Sequence, residues 1–202
     1  MNNIIIIGGG TSILDGLQEI DLQNVLKGQL VIGCNSAFAD FEVTATCYLD
    51  ELFSQKYRTE LSEQILITKK SSNPERYFKN YFTFDSYSSH LGLTGIFALS
   101  LFNSLFKNSN IFLLGFDFIN GTFHDRNKVS NRDIYNLPQE KIKEIFDKIE
   151  ISNNIYNVNL NSNIENYVKI SYQTFLSFLK NQKNDFKKEL LVLLYNNVTH
   201  IS

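Results

Sequence analysis

An unbroken run of β-branched residues near the start of the chain constrains its fold more than any other feature. Asn3 is followed by four consecutive isoleucines, which end at Gly8. A strand that is apolar on both faces is typical of a parallel sheet with helices on both sides. The sequence therefore predicts that residues 3–8 form the first and central strand of such a sheet.

Strands and helices alternate along the rest of the chain. Further strands are predicted at residues 29–34, 45–49, 64–68, 110–115 and 155–160, the third of these being more exposed. Apolar residues at helical spacing predict helices after Ser12, through 52–57, at 95–106 and from Pro138, and two C-terminal helices within 171–195. This alternation favours an α/β fold with one doubly wound, largely parallel, Rossmann-like sheet.

The chain is short enough for one domain, and two of its segments lack periodicity. Its 202 residues are predicted to form a single nucleotide-binding domain. Residues 69–92 and 118–137 are polar and irregular, which is typical of loops that cover a site. The last predicted helix has an apolar face formed by Phe186, Leu190, Leu191, Leu193 and Leu194. This face suits either core packing or contact with a second copy, so a homo-oligomer remains one of two alternatives.

Charge and composition exclude several classes of protein. With 19 Lys+Arg against 21 Asp+Glu, the net charge is -2, so no basic field is available for nucleic acid or an acidic membrane. The apolar stretches are shorter than the roughly 20 residues of a transmembrane helix, and no secretory signal pattern is seen, so a cytoplasmic location is expected. Cys34 and Cys47 fit buried strands, and no metal site is predicted.

Polar or glycine-bearing steps follow five of the predicted strands. In an open parallel sheet, ligands bind beyond the carboxyl ends of the strands, where the strand order reverses. These steps should therefore converge on one small-molecule pocket. They comprise Gly8, Gly9, Gly10, Thr11 and Ser12; Asn35 and Ser36; Asp50; Gly115 to Asp117; and Asn159 to Ser162, including Asn161.

The glycine turn after the first strand suits an anion. Glycines let the backbone approach a phosphate, and the amides at the start of the next helix point toward it. The turn is neither a Walker loop nor a complete GxGxxG, because Ile13 occupies the third glycine position. A tight strand-to-helix connection explains it equally well. Asn35, in place of an acidic residue, offers a donor and an acceptor to a sugar or base.

Three further residues are candidates for chemistry. Thr94, followed by Gly95, either caps a helix or contacts a ligand through its hydroxyl and the helix amides. Asp117 either caps a turn or orders the pocket. His124 either lies on the surface or acts as general base, since its reference pKa is near neutrality.

Taken in order, these segments resemble the bacterial sialyltransferases of the Campylobacter lipooligosaccharide type and the related DUF115 and phage-encoded proteins with a Rossmann-like core. The matching segments span most of residues 1–170. They are residues 4–12, 33–38, 48–53, 93–95, 111–118 and 155–162.

The resemblance implies a transferase with a GT-A-variant fold that needs no metal or other cofactor. It would move sialic acid from a CMP-sugar donor to a hydroxyl of a glycan acceptor. The glycine turn, Asn35 and Thr94-Gly95 would hold the nucleotide, and His124 would act as base. The chain departs from the family at Leu49, where the family has Asn, and near Leu91, where it has Arg.

Two other functions stay open. In a pyrophosphokinase of the DUF115 type, Asp50 and Asp117 would hold Mg²⁺ beside the phosphates. Alternatively, the protein binds a nucleotide without catalysis. EDTA would abolish the first activity and leave a CMP-sugar transferase active.

Overall fold

Eight parallel strands form one sheet in the computed structural model, which describes residues 2–87, 93–117, 138–179 and 186–198. In chain order they are β1 (Asn3–Ile7), β2 (Leu30–Cys34), β3 (Ala45–Cys47), β4 (Leu66–Thr68), β5 (Tyr81–Thr83), β6 (Asn110–Leu114), β7 (Asn154–Asn157) and β8 (Val168–Lys169). Their order across the sheet is β5-β4-β3-β2-β1-β6-β7-β8. The central position of β1 and the reversal of order between β1 and β6 confirm the predicted doubly wound, Rossmann-like fold.

Helices cover both faces of this sheet in the described part of the chain. They are α1 (Ile13–Glu19), α2 (Leu22–Val25), α3 (Glu51–Lys56), α4 (Thr94–Leu105), α5 (Gln139–Asp147), α6 (Tyr172–Leu179) and α7 (Phe186–Asn197). Ile4 and Ile6 pack in one core cluster with residues of α4, α5 and α7. Ile5 and Ile7 pack in a second cluster with residues of α1, α2 and α6. The isoleucine run is thus buried on both faces, as its composition predicts.

The structure differs from the sequence-based expectation in two short segments. β4 is fully buried rather than exposed, because β5 pairs with it on its outer side. The segment 69–92, predicted as a loop, contains β5 and two 3₁₀ turns, Lys70–Ser72 and Pro74–Arg76. A strand of three residues is too short to show a period. The other predicted loop, 118–137, lies outside the described residues.

The two cysteines and the last helix have core positions. Cys34 and Cys47 are register partners on β2 and β3, and both are free and buried. Burial raises the pKa of the Cys34 thiol to about 12, so it stays protonated at neutral pH. On α7, Phe186, Leu190 and Leu194 are buried in the core. No helix in the described ranges combines the length and apolar character needed to cross a bilayer.

Candidate functional site

The loops that follow β1, β6 and β7 are joined by one buried carboxylate. The Ser12 amide donates to Asp117 Oδ2 at 2.7 Å, and the Ser12 hydroxyl donates to Asp117 Oδ1. Asn159 Nδ2 also donates to Asp117 Oδ1, at 3.1 Å. Asp117 is only 2% exposed. The point where the strand order reverses is therefore held closed by side-chain hydrogen bonds.

This carboxylate stands where the sequence predicts a phosphate. The start of a helix favours an anion because its amides are unpaired and its dipole is positive there. At α1 the Ser12 amide already binds the internal anion Asp117. The predicted phosphate contact at this amide would have to displace that carboxylate.

The glycines of the turn serve the close approach of β1 and β6. The Gly10 amide donates to the Gly115 carbonyl at 2.8 Å. A Cβ on Gly8 would lie 2.7 Å from the Gly115 oxygen, and one on Gly10 would lie 2.6 Å from it. Gly9 and Thr11, the other residues of the predicted phosphate turn, are half-buried. The tight connection that the sequence left open is thus part of the structure.

Two predicted ligand contacts meet across the edge formed by the carboxyl ends of the strands, which we call the carboxyl rim. Asn35 is exposed, with a left-handed φ of 52°, and begins a 3₁₀ turn over Asn35–Ala39 directly after β2. The Thr94 hydroxyl, at the start of α4, donates to Asn35 Oδ1 at 3.1 Å. Asn35 Nδ2 donates no hydrogen bond to any residue that the structure describes. Ser36 is half-buried beside it.

A lysine missed by the sequence analysis lies near the start of α4. Lys69 directly follows β4, and its Nζ lies 5.9 Å from the centroid of the Phe97 ring in the first turn of α4. The residue before that helix, Leu93, provides no side-chain cap. A polar residue directly after a predicted strand, 64–68, is the signal that the sequence offers for Lys69, which the sequence analysis instead assigns to the irregular segment 69–92.

An aromatic ring stands between the glycine turn and α4. A Cβ on Gly8 would lie 3.1 Å from the Phe116 ring, and one on Gly95 would lie 2.9 Å from it. Phe116 is 4% exposed. The space between Gly8 and Gly95 is therefore filled by this ring.

The remaining predicted residues have structural partners. Asp50 caps α3 by accepting from the Leu52 amide at 2.9 Å. Ser162 is buried and donates to the Phe116 carbonyl at 2.7 Å, which helps to fix that residue. The Asn161 amide donates to Asn159 Oδ1 at 2.9 Å. His124, the predicted base, lies outside the described residues.

Tyr172 on α6, which the sequence did not indicate, contacts the chain at the start of α1. Its hydroxyl donates to the Ser12 carbonyl at 3.0 Å, and its ring packs against Gly16. Burial, followed by the nearby Asp117 charge, raises the pKa of Tyr172. The hydrogen bond links residues 160 positions apart, so local sequence carries no signal for it.

A cavity of about 290 Å³ lies away from these residues. It is lined by residues that precede β2 and β3 and by the start of α7, including Gln29, Thr44 and Lys187. None of the predicted site residues lines it.

In comparisons with known proteins, no family model, curated protein or solved structure matches the chain.

Proposed function

We propose that the protein is a nucleotide-sugar-dependent glycosyltransferase of the sialyltransferase-like kind, with a CMP-sugar as donor and a glycan hydroxyl as acceptor. The observation that carries this proposal is the hydrogen bond between Thr94 and Asn35. It joins two of the predicted nucleotide contacts at the carboxyl rim, beside the reversal of strand order where ligands bind in folds of this class.

We place the phosphate of the donor at the start of α4. The first amides of a helix have no acceptor within it, and Leu93 supplies none from its side chain. Lys69 forms no ion pair with any residue that the structure describes. A cationic amine and helix amides together offset the negative charge of a phosphate. That charge grows when the bond between the sugar and the phosphate of the donor breaks.

Asn35 is placed on the ribose or the donor sugar. Its Oδ1 accepts from Thr94, which leaves Nδ2 as the donor toward the ligand. The residue assigned as base by the resemblance, His124, would take the proton of the acceptor hydroxyl. The carboxylates that would hold Mg²⁺ in a pyrophosphokinase, Asp50 and Asp117, already bind backbone or side-chain donors.

Calorimetric titration with CMP, UDP, GDP, ATP and CMP-sialic acid, with and without Mg²⁺, tests the proposal. We expect CMP and CMP-sialic acid to bind, and Lys69→Ala to weaken binding about tenfold. Lys70→Ala, which removes a neighbouring exposed lysine, is the matched control and should leave affinity unchanged. No binding of any nucleotide, or equal effects of the two substitutions, would contradict the proposed site.

Turnover distinguishes the remaining functions. Transfer from CMP-sialic acid to a glycan acceptor that survives EDTA and is lost in His124→Ala supports the transferase. Activity with ATP that EDTA abolishes supports the pyrophosphokinase. Nucleotide binding without either activity indicates a non-catalytic nucleotide-binding protein.

A further inference from the structure

We infer that the cavity lined by the residues before β2 and β3, which we call the amino-end cavity, binds a free amino acid with an apolar side chain. Its volume of about 290 Å³ is close to the lower limit of roughly 300 Å³ for small-molecule sites. The cavity is therefore too small to enclose a nucleotide sugar. The inference is independent of the proposed function, because none of the residues assigned to the donor lines this cavity.

Apolar side chains from both faces of the sheet line the amino-end cavity. Leu26 and Val43 pack with the core cluster on the α1 and α2 face, and Phe186 packs with the cluster on the α4 face. Leu26 is 2% exposed and Phe186 is 3% exposed, so both lie deep in the wall. An apolar part of a ligand that contacts these side chains is removed from water, which favours binding.

Hydrogen bonds between the segments before β2 and β3 fix the polar part of the wall. The Thr44 hydroxyl donates to the Gln29 carbonyl at 3.2 Å and accepts from the Val31 amide at 3.1 Å. The Gln29 amide donates to the Leu26 carbonyl at 3.1 Å. The wall is therefore formed before a ligand binds, which is usual for small-molecule sites.

One side chain of each charge lies at the exposed part of the amino-end cavity. Glu42 precedes β3 and Lys187 lies in the first turn of α7, and both are exposed. At neutral pH the first is an anion and the second a cation. Neither forms an ion pair with the other or with any residue in the part of the chain that the structure describes.

This pair of charges selects the class of ligand. A carboxylate alone pairs only with Lys187, and an amine alone pairs only with Glu42. An amino acid carries both groups, so its carboxylate and its ammonium each form a charge-assisted hydrogen bond. Its apolar side chain then lies against the wall formed by Leu26, Val43 and Phe186.

Calorimetric titration of the full chain with leucine and three partial analogues tests the inference. Isocaproate lacks the ammonium group of leucine, isoamylamine lacks its carboxylate, and glycine lacks its apolar side chain. We expect leucine to bind and each analogue to bind at least about tenfold more weakly. Valine and methionine are titrated in parallel, to cover apolar side chains of other shapes.

Charge-removing variants place the binding in the amino-end cavity. Lys187→Met and Glu42→Gln keep the length of the side chain and should each weaken leucine binding about tenfold. Lys188→Met and Glu189→Gln are the matched controls, because these exposed neighbours on α7 do not line the cavity, and should leave the affinity unchanged. All four positions are exposed, so urea denaturation should show nearly unchanged stability.

The possible results separate this inference from the proposed function. Absence of binding by leucine, valine and methionine overturns it, as does binding of isocaproate, isoamylamine or glycine as tight as that of leucine. Equal effects of the cavity variants and their controls also overturn it, because leucine would then bind elsewhere. Protein that binds CMP but none of these amino acids contradicts the amino-end site and leaves the proposed function standing.

Discussion

Helices α1 and α4 both begin at the carboxyl rim, and their first turns are built in opposite ways. At α1 the amide of Ser12 and its hydroxyl are both bonded to Asp117, a residue 105 positions away. At α4 the residue before the helix offers no side-chain cap, and the Thr94 hydroxyl reaches out to Asn35. One helix start is closed by an internal anion, and the other has no side-chain cap from the residue before it.

The difference shows that a glycine turn and an anion site need not coincide. The glycines before α1 let β1 and β6 approach each other, and the charge that the helix start favours comes from the chain itself. The start of α4 lies beside Lys69 and has no comparable internal partner among the described residues. Substitutions at α1 should therefore affect stability, and substitutions at α4 should affect ligand affinity.

The largest expected effect follows from removing the internal anion. Asp117→Ala leaves the Ser12 amide, the Ser12 hydroxyl and the Asn159 amide group without their acceptor in a buried place. We expect the free energy of unfolding to fall by about 4 kcal/mol, as measured by urea denaturation. Asp50→Ala removes an exposed cap from α3 and should cost only about 1 kcal/mol. Similar losses of unfolding free energy in the two variants would mean that the hydrogen bonds of Asp117 to Ser12 do not stabilise the start of α1.

Replacing Gly10, before α1, or Gly95, in α4, by alanine tests the same contrast between the two helix starts through packing. In Gly10→Ala the new Cβ meets the Asp117 carboxylate and also the Gly115 carbonyl, the latter at 2.6 Å. Backbone must move there, so we expect a loss of about 3 kcal/mol in urea denaturation. In Gly95→Ala the neighbour is the Phe116 ring at 2.9 Å, which can shift, and the loss should be about 1 kcal/mol.

Gly28→Ala provides the control for these two substitutions. Gly28 has a φ of 72° and no atom within 4 Å of an added Cβ, so only its backbone conformation is penalised, by about 1 kcal/mol. A Gly10→Ala loss no larger than that of Gly28→Ala would contradict the close approach of Gly10 to Gly115 and Asp117.

The sequence predicted what local pattern can encode. The isoleucine run indicates a strand buried on both faces, and the rule for parallel sheets places Asn35 at the carboxyl rim. The resemblance groups Asn35 with Thr94, and the two are hydrogen-bonded.

The sequence could not predict contacts that depend on tertiary packing. The hydrogen bonds between Ser12 and Asp117 and between Tyr172 and Ser12 join distant segments. The local sequence around each residue does not indicate its hydrogen-bond partner. Lys69 lies in a polar stretch that resembles a loop, although it directly follows a strand. The two edge strands, β5 and β8, are too short to show alternation.

Tyr172→Phe has a small expected effect and tests how α6 supports the Ser12–Asp117 contact at the start of α1. The substitution removes one hydrogen bond to the Ser12 carbonyl, so the free energy of unfolding at pH 7 should fall by about 1 kcal/mol. Tyr156→Phe, on β7, removes a hydroxyl that makes no hydrogen bond to a described residue and should cost less.

The alkaline range gives this substitution a second signature. Because burial raises the pKa of Tyr172 above its ordinary value of 10.0, the folded state keeps this proton after the unfolded chain has lost it. The resulting stability is complete below pH 10 and is lost as the pH rises beyond it. Tyr172→Phe has no such proton, so its unfolding free energy should fall less steeply above pH 10, by up to about 1.4 kcal/mol per pH unit. Parallel profiles for the variant and the wild type in that range would show that Tyr172 is not held as a buried, protonated donor at the start of α1.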